Sequence, residues 1–410
     1  MSATTAVRSH DSRLPVAAGP RRWWPGPVAR AVLGVWVASR LVVALVAVAG
    51  ARLATSSTVT EVPGFRVLWD HWDVSLFTKV ARYGYHSPAY SDKTDVDYPG
   101  MPLAIRFAHL VVRDWIVAGL VVSALAGAVS CVVLARLAAD DAALDPGDDA
   151  TDKTQGGALA GRRAVLAMVA FPYAVFLFAG YSEGLFLAFS LAAWLAARRQ
   201  RWLLAGVLAA GATGTRVIGL ALVAGLWVQW ATTRPGLRRP GGGLGIRRVM
   251  RDLPPLLLPL LPVVAFAAFL KVKAGHWDSY ARAMRAGWSR EVTWPWVGLD
   301  RTWQAAANTD TASTFHWFWI AELLAVAVGL LLAGVLLRER RWGEAAYVGS
   351  STVLMASSSY WASGVRAVLV WFPLYLLLAR RPRVLAGYLW AAAPLMIVLV
   401  IAFTSGDWVD

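Results

Sequence analysis

The run HWFWIAELLAVAVGLLLAGVLLRERR, residues 316–341, decides the class of this protein. Its first 22 residues, 316–337, are apolar enough and long enough to cross a bilayer as one helix. Arg338, Arg340 and Arg341 follow at once, which marks that end as cytoplasmic under the positive-inside rule. Runs of this kind recur along the 410 residues, which are 58% hydrophobic and include 22 Trp. The mean hydropathy is +0.52. A soluble chain of this length could not hide that much apolar surface in its cores. The composition therefore predicts an all-α polytopic membrane protein.

Eleven spans are expected, near 28–50, 115–137, 164–180, 183–197, 202–217, 218–232, 253–273, 316–337, 343–360, 365–379 and 384–404. The short runs between 164 and 217 also suit a re-entrant pair. With the N-terminus inside, the Arg clusters at 162–163, 198–201, 234–251, 338–341 and 380–383 all fall on the cytoplasmic side. That distribution accounts for the net charge of +15 without nucleic acid as a partner. Residues 1–27 carry Arg8, Arg13, Arg21 and Arg22, lack a signal-peptide pattern and read as a flexible basic cytoplasmic tail. Residues 28–410 then form the membrane domain. Its outer loops are 51–114 and 274–315, and its longer cytoplasmic loops are 138–163 and 233–252. The Gly-rich stretch TRPGLRRPGGGLGI (233–246) lacks the Lys-Ser/Thr of a phosphate loop and reads as a linker. The single Cys, Cys131, lies in an apolar run, so neither a disulfide framework nor a Cys-based metal site is expected.

The outer segments carry the informative residues. In HWDVSLFTKVARYGY (71–85), Leu76, Val80 and Tyr83 recur at helical spacing, with Phe77 and Ala81 beside them. An amphipathic helix against the outer leaflet is expected, with Gly84 placed to end it. Asp73 lies in its first turn. There it serves either as a carboxylate complementing the helix dipole or as a chemical group, with Asp70 as a competitor. DYPGMPLAIR (97–106) is a Pro-punctuated turn leading into a short helix. FPYAVFLFAGYSEGLFLAFSLAAW (171–194) places Glu183 at an outer membrane boundary, where a carboxylate needs a cavity or a partner. Arg216 and Arg366 lie at similar depth, and Arg40 is mid-span. Arg40 is expected to snorkel or pair internally. Arg216 and Arg366 fit either internal ion pairs or a charged cavity, and paired guanidinium donors suit a phosphate in a partly dry site.

Taken in order, these stretches resemble the glycosylphosphatidylinositol mannosyltransferase II (PIG-V) family and its bacterial relatives. HWDVSLFTKVARYGY resembles that family's Trp-Asp … Gly-Tyr segment. DYPGMPLAIR is similar to its Phe-Phe-Pro-x-x-Pro segment, and FPYAVFLFAGYSEGLF to its Pro … Tyr-Ser/Thr-Glu segment. GATGTRVIGLAL (211–222) is similar to its Thr-Arg-x-x-Gly segment. GHWDSYARAMRAGWSREVTWPW (275–296) is similar to the Trp-Gly-Arg region of the bacterial members, and VRAVLVWFPLYLLLA (365–379) to its Arg-Tyr … Phe-Pro-Leu segment. The resemblance covers roughly residues 30–383. It departs from the family pattern at Asp97, Met284, Ala367 and His276-Trp277-Asp278.

The resemblance implies a GT-C glycosyltransferase architecture in the plasma membrane with an extracytoplasmic active site. It implies an inverting transfer of mannose from polyprenyl-phosphate-mannose to a hydroxyl of a glycolipid or glycan acceptor, with no cofactor or metal. Asp73 takes the place of the general base. Arg216 and Arg366 take the family's Arg positions and are the candidates for the donor phosphate. Glu183 matches the Tyr-Ser-Glu position and is assigned to substrate binding or the cavity. Trp72, Tyr181, Asp70, Asp97, Trp288 and Arg290 are grouped with it. Two other functions fit the span count and the intramembrane charges: a lipid or solute transporter, and a non-catalytic subunit of a glycan-assembly complex.

Overall fold

A computed structural model describes residues 26–54, 63–88, 92–143, 150–233 and 246–409. The basic stretch 1–25 with Arg8, Arg13, Arg21 and Arg22, and the linker residues 234–245 with Arg234, Arg238 and Arg239, lie outside the described residues. Helices make up almost all of the regular structure. The β-pairing among the described residues is an isolated antiparallel bridge between Val292 and Ser358.

Among the described residues, five helical segments are long and apolar enough to cross a membrane: Pro27–Leu53, Trp115–Ala142, Asp252–Ala274, Thr314–Arg338 and Pro382–Thr404. The first, second, fourth and fifth belong to helices α1 (Pro27–Ala54), α4 (Trp115–Ala142), α13 (Thr314–Arg338) and α17 (Pro382–Thr404). The third runs through the end of α9 (Ile246–Leu257), a 3₁₀ turn at Leu258–Leu260, and α10 (Leu261–Ala274). Only 22% of the best window in α17 is buried, against 56% in α4. Leu41, Leu45, Leu330, Leu331 and Trp390 stand more than half exposed. Apolar helices with this much uncovered surface are stable only where lipid covers them, so the chain is a helical membrane protein.

α4 is the centre of the bundle. It packs on α1, α5 (Ala150–Val169), α6 (Ser182–Arg198) and α3 (Gly100–His109). Small residues permit this. At Gly127 a methyl group would fall 2.2 Å from the Trp36 ring of α1, and the Trp36 indole N–H reaches the Ala124 carbonyl at 3.2 Å. α8 (Gly219–Thr232) and α14 (Trp342–Ala356) meet as closely, through Gly225 against Tyr347 and Gly343 against Gln229.

Several expected runs are shorter or broken, each at an identifiable residue. Helix α5 ends at Val169, and Phe171–Gly180 runs on as turns that include a 3₁₀ turn at Ala174–Leu177, because Pro172 supplies no N–H to extend the ladder. Residues 202–232 form α7 (Trp202–Thr213) and α8, joined by turns that carry Arg216. Residues 364–379 divide into α15 (Gly364–Val370) and α16 (Phe372–Ala379), with Trp371 non-helical and Pro373 in the first turn after it. The stretch 138–163, expected as a loop, is mostly helix: α4 runs to Ala142 and α5 starts at Ala150. Arg40 neither snorkels nor depends on an ion pair. It is 6% exposed, donates to the Ala174 carbonyl at 2.9 Å and lies over the Trp36 ring.

The two long connecting segments hold the amphipathic helices. α2 (Asp73–Tyr83) and α3 lie in the first, α11 (Ser279–Trp288) and α12 (Pro295–Asn308) in the second. The buried face of α2 overlaps the expected one: Phe77, Val80 and Ala81 are buried, joined by Val74 and Thr78, with Phe77 and Ala81 against Met101, Ile105 and Ala118, whereas Leu76 is half-buried and Tyr83 is half exposed.

The end of the bundle remote from these segments is tied by charge. Asp141 at the end of α4 accepts from Arg198 of α6 and forms ion pairs with Arg341 at 3.0 Å and Arg380 at 3.4 Å. Glu344 of α14 accepts from Arg198 at 2.7 Å and forms an ion pair with Arg341. Both acids are 3% exposed. Removing one acid from such a cluster strands buried cations. Asp141→Ala is therefore expected to cost roughly 3–5 kcal/mol in a detergent unfolding experiment. Breaking the exposed Arg66–Asp114 pair on the same protein should cost less than about 1 kcal/mol.

Candidate active site

The N-terminus of α6 enters the bundle directly after Gly180, whose φ of +82° turns the chain into the helix. Glu183 lies in the first turn and is fully buried. Its Oε1 accepts from Arg366 Nε and Nη2, each at 2.7 Å, and from Arg216 Nη1 at 2.5 Å. Arg216 Nη1 also donates to Ser182 Oγ at 2.9 Å. Arg366 belongs to α15 and is 4% exposed. Its guanidinium lies over the rings of Tyr181 (4.7 Å) and Phe176 (5.0 Å), so aromatic faces take the place of water on that side.

Arg366 Nη1 completes the network by donating to Asp73 Oδ2 at 3.0 Å. Asp73 is the first residue of α2, and its side chain is 22% exposed. The residue before it, Trp72, sits at φ 52°, ψ −124°, a costly backbone region for a bulky residue. Two contacts from the chain after α17 hold it there. The Trp72 indole N–H donates to the Asp407 carbonyl at 3.2 Å, and its ring meets Trp408 edge-on at 4.8 Å. The contacts of Asp73 thus go beyond complementing a helix dipole: it is joined to a side chain nearly three hundred residues away.

These groups border a cavity of about 170 Å³. Asp73, Arg216 and Arg366 line it, with Ser182 and Thr215 from the same neighbourhood. Asp97, just after a 3₁₀ turn at Asp92–Val96, and Tyr98 contribute a second wall. Tyr280, Met284 and Trp288 of α11 and the following Arg290 form a third. Among the sequence candidates, Asp73, Glu183, Arg216 and Arg366 therefore meet in one ion-pair network, and Asp97, Trp288 and Arg290 face the same space. Tyr181 is fully buried beneath Arg366 and is not part of the wall. Trp72 and Asp70 are also absent from the wall. Trp72 is 38% exposed against Trp408, and Asp70 is exposed and accepts from Ser75 Oγ at 2.8 Å. Asp70 is thus tied to its own helix start, and the competition between the two acids falls to Asp73 on position. Tyr98 and Tyr280 were not singled out by the sequence. Both are aromatic residues in connecting segments that contain many, and nothing local distinguishes them.

Asp97 is 7% exposed, and its Oδ2 has no hydrogen-bond partner. Burial pushes its carboxyl well above the usual carboxylate range. Asp73 and Asp95 add to that rise, and Arg366 opposes it. A raised folded-state value means that the folded protein holds the proton more tightly than the unfolded chain. The stabilising contribution is complete below the unfolded value of about 3.9 and is lost as pH rises through the folded one. Asp97→Asn cannot titrate. It should unfold at a higher temperature than the parent at pH 7–8, and the difference should vanish as the pH is lowered toward about 4 in a melting series.

No family model matches the chain, and no curated protein is significantly similar to it, so its function is argued from the chemistry of this cavity.

Proposed function

We propose that the protein is an inverting, membrane-embedded glycosyltransferase of GT-C architecture. It moves mannose from polyprenyl-phosphate-mannose to a hydroxyl group of a lipid-linked or cell-envelope glycan. In this reading the chain makes about eleven passes through the plasma membrane, the shorter apolar helices included. The N-terminus is cytoplasmic and the cavity faces the extracytoplasmic side. The observation that carries the reading is the meeting of Asp73, Arg366 and Arg216 at one cavity, from segments far apart in sequence, with Glu183 buried behind both arginines.

The chemistry follows from those groups. Asp73 accepts the proton of the acceptor hydroxyl as its oxygen bonds to the anomeric carbon. The bond from that carbon to the phosphate oxygen breaks on the opposite face, through a transition state with oxocarbenium character, and configuration inverts. The phosphate departs with the bonding pair and gains charge, which Arg366 and Arg216 stabilise. Glu183 holds both guanidinium groups in place before substrate arrives. An incoming phosphate competes with Asp73 for Arg366 Nη1. Donor binding thereby turns Asp73 from ion-pair partner into base.

Purified protein supplied with polyprenyl-phosphate-mannose and a cell-envelope lipid fraction should transfer labelled mannose. Asp73→Asn should reduce the rate by roughly 10²–10⁴-fold with little change in donor affinity. Arg366→Lys should lower both rate and stability, since a single ammonium cannot serve Glu183 and Asp73 together. Transfer by Asp73→Asn at the parental rate would remove this residue from the mechanism. Lipid movement across vesicles without any transfer would identify a transporter instead.

A further inference from the structure

Three guanidinium groups line the cavity, and they are not equivalent. Arg216 is engaged by Glu183, and Arg366 by Glu183 and Asp73. Arg290 is different: among the described residues no carboxylate lies within 4.0 Å of it, and its hydrogen bond within the protein runs from Nε to Ser358 Oγ at 3.0 Å. The two terminal nitrogens of its fork therefore have no acidic partner in the cavity they border.

The backbone of Arg290 is fixed on both sides. Its N–H closes α11 by donating to the Met284 carbonyl at 3.1 Å, across Ser289 in the left-handed region at φ 52°. That conformation is unfavourable for a non-glycine residue and re-aims the chain directly before Arg290. The carbonyl of Trp288 accepts from the Tyr360 hydroxyl. Beyond Arg290 the chain pairs with residues 357–359: Ser359 N–H to the Glu291 carbonyl at 2.9 Å, and Thr293 N–H to the Ser357 carbonyl at 3.0 Å. The Tyr280 phenol lies in the same wall. Burial raises its pKa, and the neighbouring Arg290 charge opposes the rise. A hydroxyl kept protonated beside a fixed, unneutralised guanidinium is a donor set for an anion.

We infer that Arg290 is the residue that captures the anionic headgroup of the ligand, a phosphate ester, with Tyr280 as a second donor, while Arg216 and Arg366 are held in reserve by their acids. The pairing favours this. Arg216 and Arg366 are paired with Asp73 and Glu183, and Asp97, the other carboxyl of the wall, is more than 4.0 Å from Arg290, which leaves the Arg290 fork to be met by what enters. An anion arriving at Arg290 displaces no ion pair, whereas at Arg366 it must compete with Asp73 at 3.0 Å. Capture at Arg290 therefore precedes engagement of Arg366. The assignment deepens the transferase reading and rests on it for the identity of the ester, but binding tests it without turnover.

The test is titration of geranylgeranyl phosphate, and separately inorganic phosphate, into the full chain in detergent by calorimetry. The parent should bind. Arg290→Gln should weaken binding roughly 10- to 100-fold, as expected for loss of charge-assisted hydrogen bonds, with unchanged melting temperature. Arg290→Lys keeps the charge without the fork and should lose less; it decides the matter if Arg290→Gln does not fold. Preference for the prenylated compound identifies a lipid ligand, and equal affinity identifies a soluble phosphate; both outcomes support the site. Binding by Arg290→Gln within twofold of the parent would overturn the inference, as would absence of phosphate binding by the parent. Loss of binding in Arg290→Gln together with no mannose transfer by the parent would uphold the anion site and reject the transferase reading.

Discussion

Glu183 is a carboxylate at 0% exposure that accepts from two arginines, one of which is itself 4% exposed and also holds Asp73. None of these four groups is stable in that position alone. The penalty for an uncompensated buried ion is several kcal/mol, and it is offset only when geometry and hydrogen bonds are complete. The network therefore fixes the start of α6, the turns before α8, the start of α15 and the start of α2 relative to one another. The cavity exists because these four segments meet there. Aromatic packing serves the same end: Tyr181 and Phe176 lie beneath Arg366, and both contact Phe403 of α17.

The bundle has a second charged knot at its other end. Helix α6 carries both, Glu183 at its start and Arg198 at its end, roughly 22 Å apart at 1.5 Å per residue. The two knots differ in what they offer. Asp141, Glu344, Arg198 and Arg341 are ion-paired with one another, as expected of a clamp. Around Glu183 the charges border open space, and a third cation has no acid of its own. A charged cluster with one unmatched member beside a cavity is arranged for a ligand of opposite sign.

Much of this was legible in the sequence, and the failures have physical causes. Long apolar runs declare themselves through composition alone, which is why helices at 27–54, 115–142, 314–338 and 382–404 match expectation within a few residues. Runs containing Pro172 or Pro373 did not, because hydropathy ignores the missing N–H that ends a helix there. The buried face of α2 was legible at Phe77, Val80 and Ala81 but not at Leu76, which is as apolar as Val74 yet stays half-buried, because only the arrival of α3 and α4 decides which side chains are covered. Glu183, Arg216 and Arg366 stood out as charges at awkward depth and Asp73 as the acid opening an amphipathic helix, yet no single sequence states that residue 183 meets residue 366. The distinction between Arg290 and the other two arginines is likewise spatial, since it depends on which cations find acids.

The separations in this network also set an order for its assembly during synthesis. Glu183 precedes Arg216 by 33 residues, Arg366 follows Glu183 by 183, and Asp73 precedes Arg366 by 293. At translation speeds of roughly 5–20 residues per second, Asp73 waits on the order of 15–60 s for its partner to leave the ribosome. Throughout that interval the nascent chain holds one acid more than the Arg216–Glu183 pair can balance, and only the arrival of the short helix α15 with Arg366 brings the charges to balance. The helix that finishes the site is thus among the last to be made, and a chain stalled before it carries the base without the means to hold it.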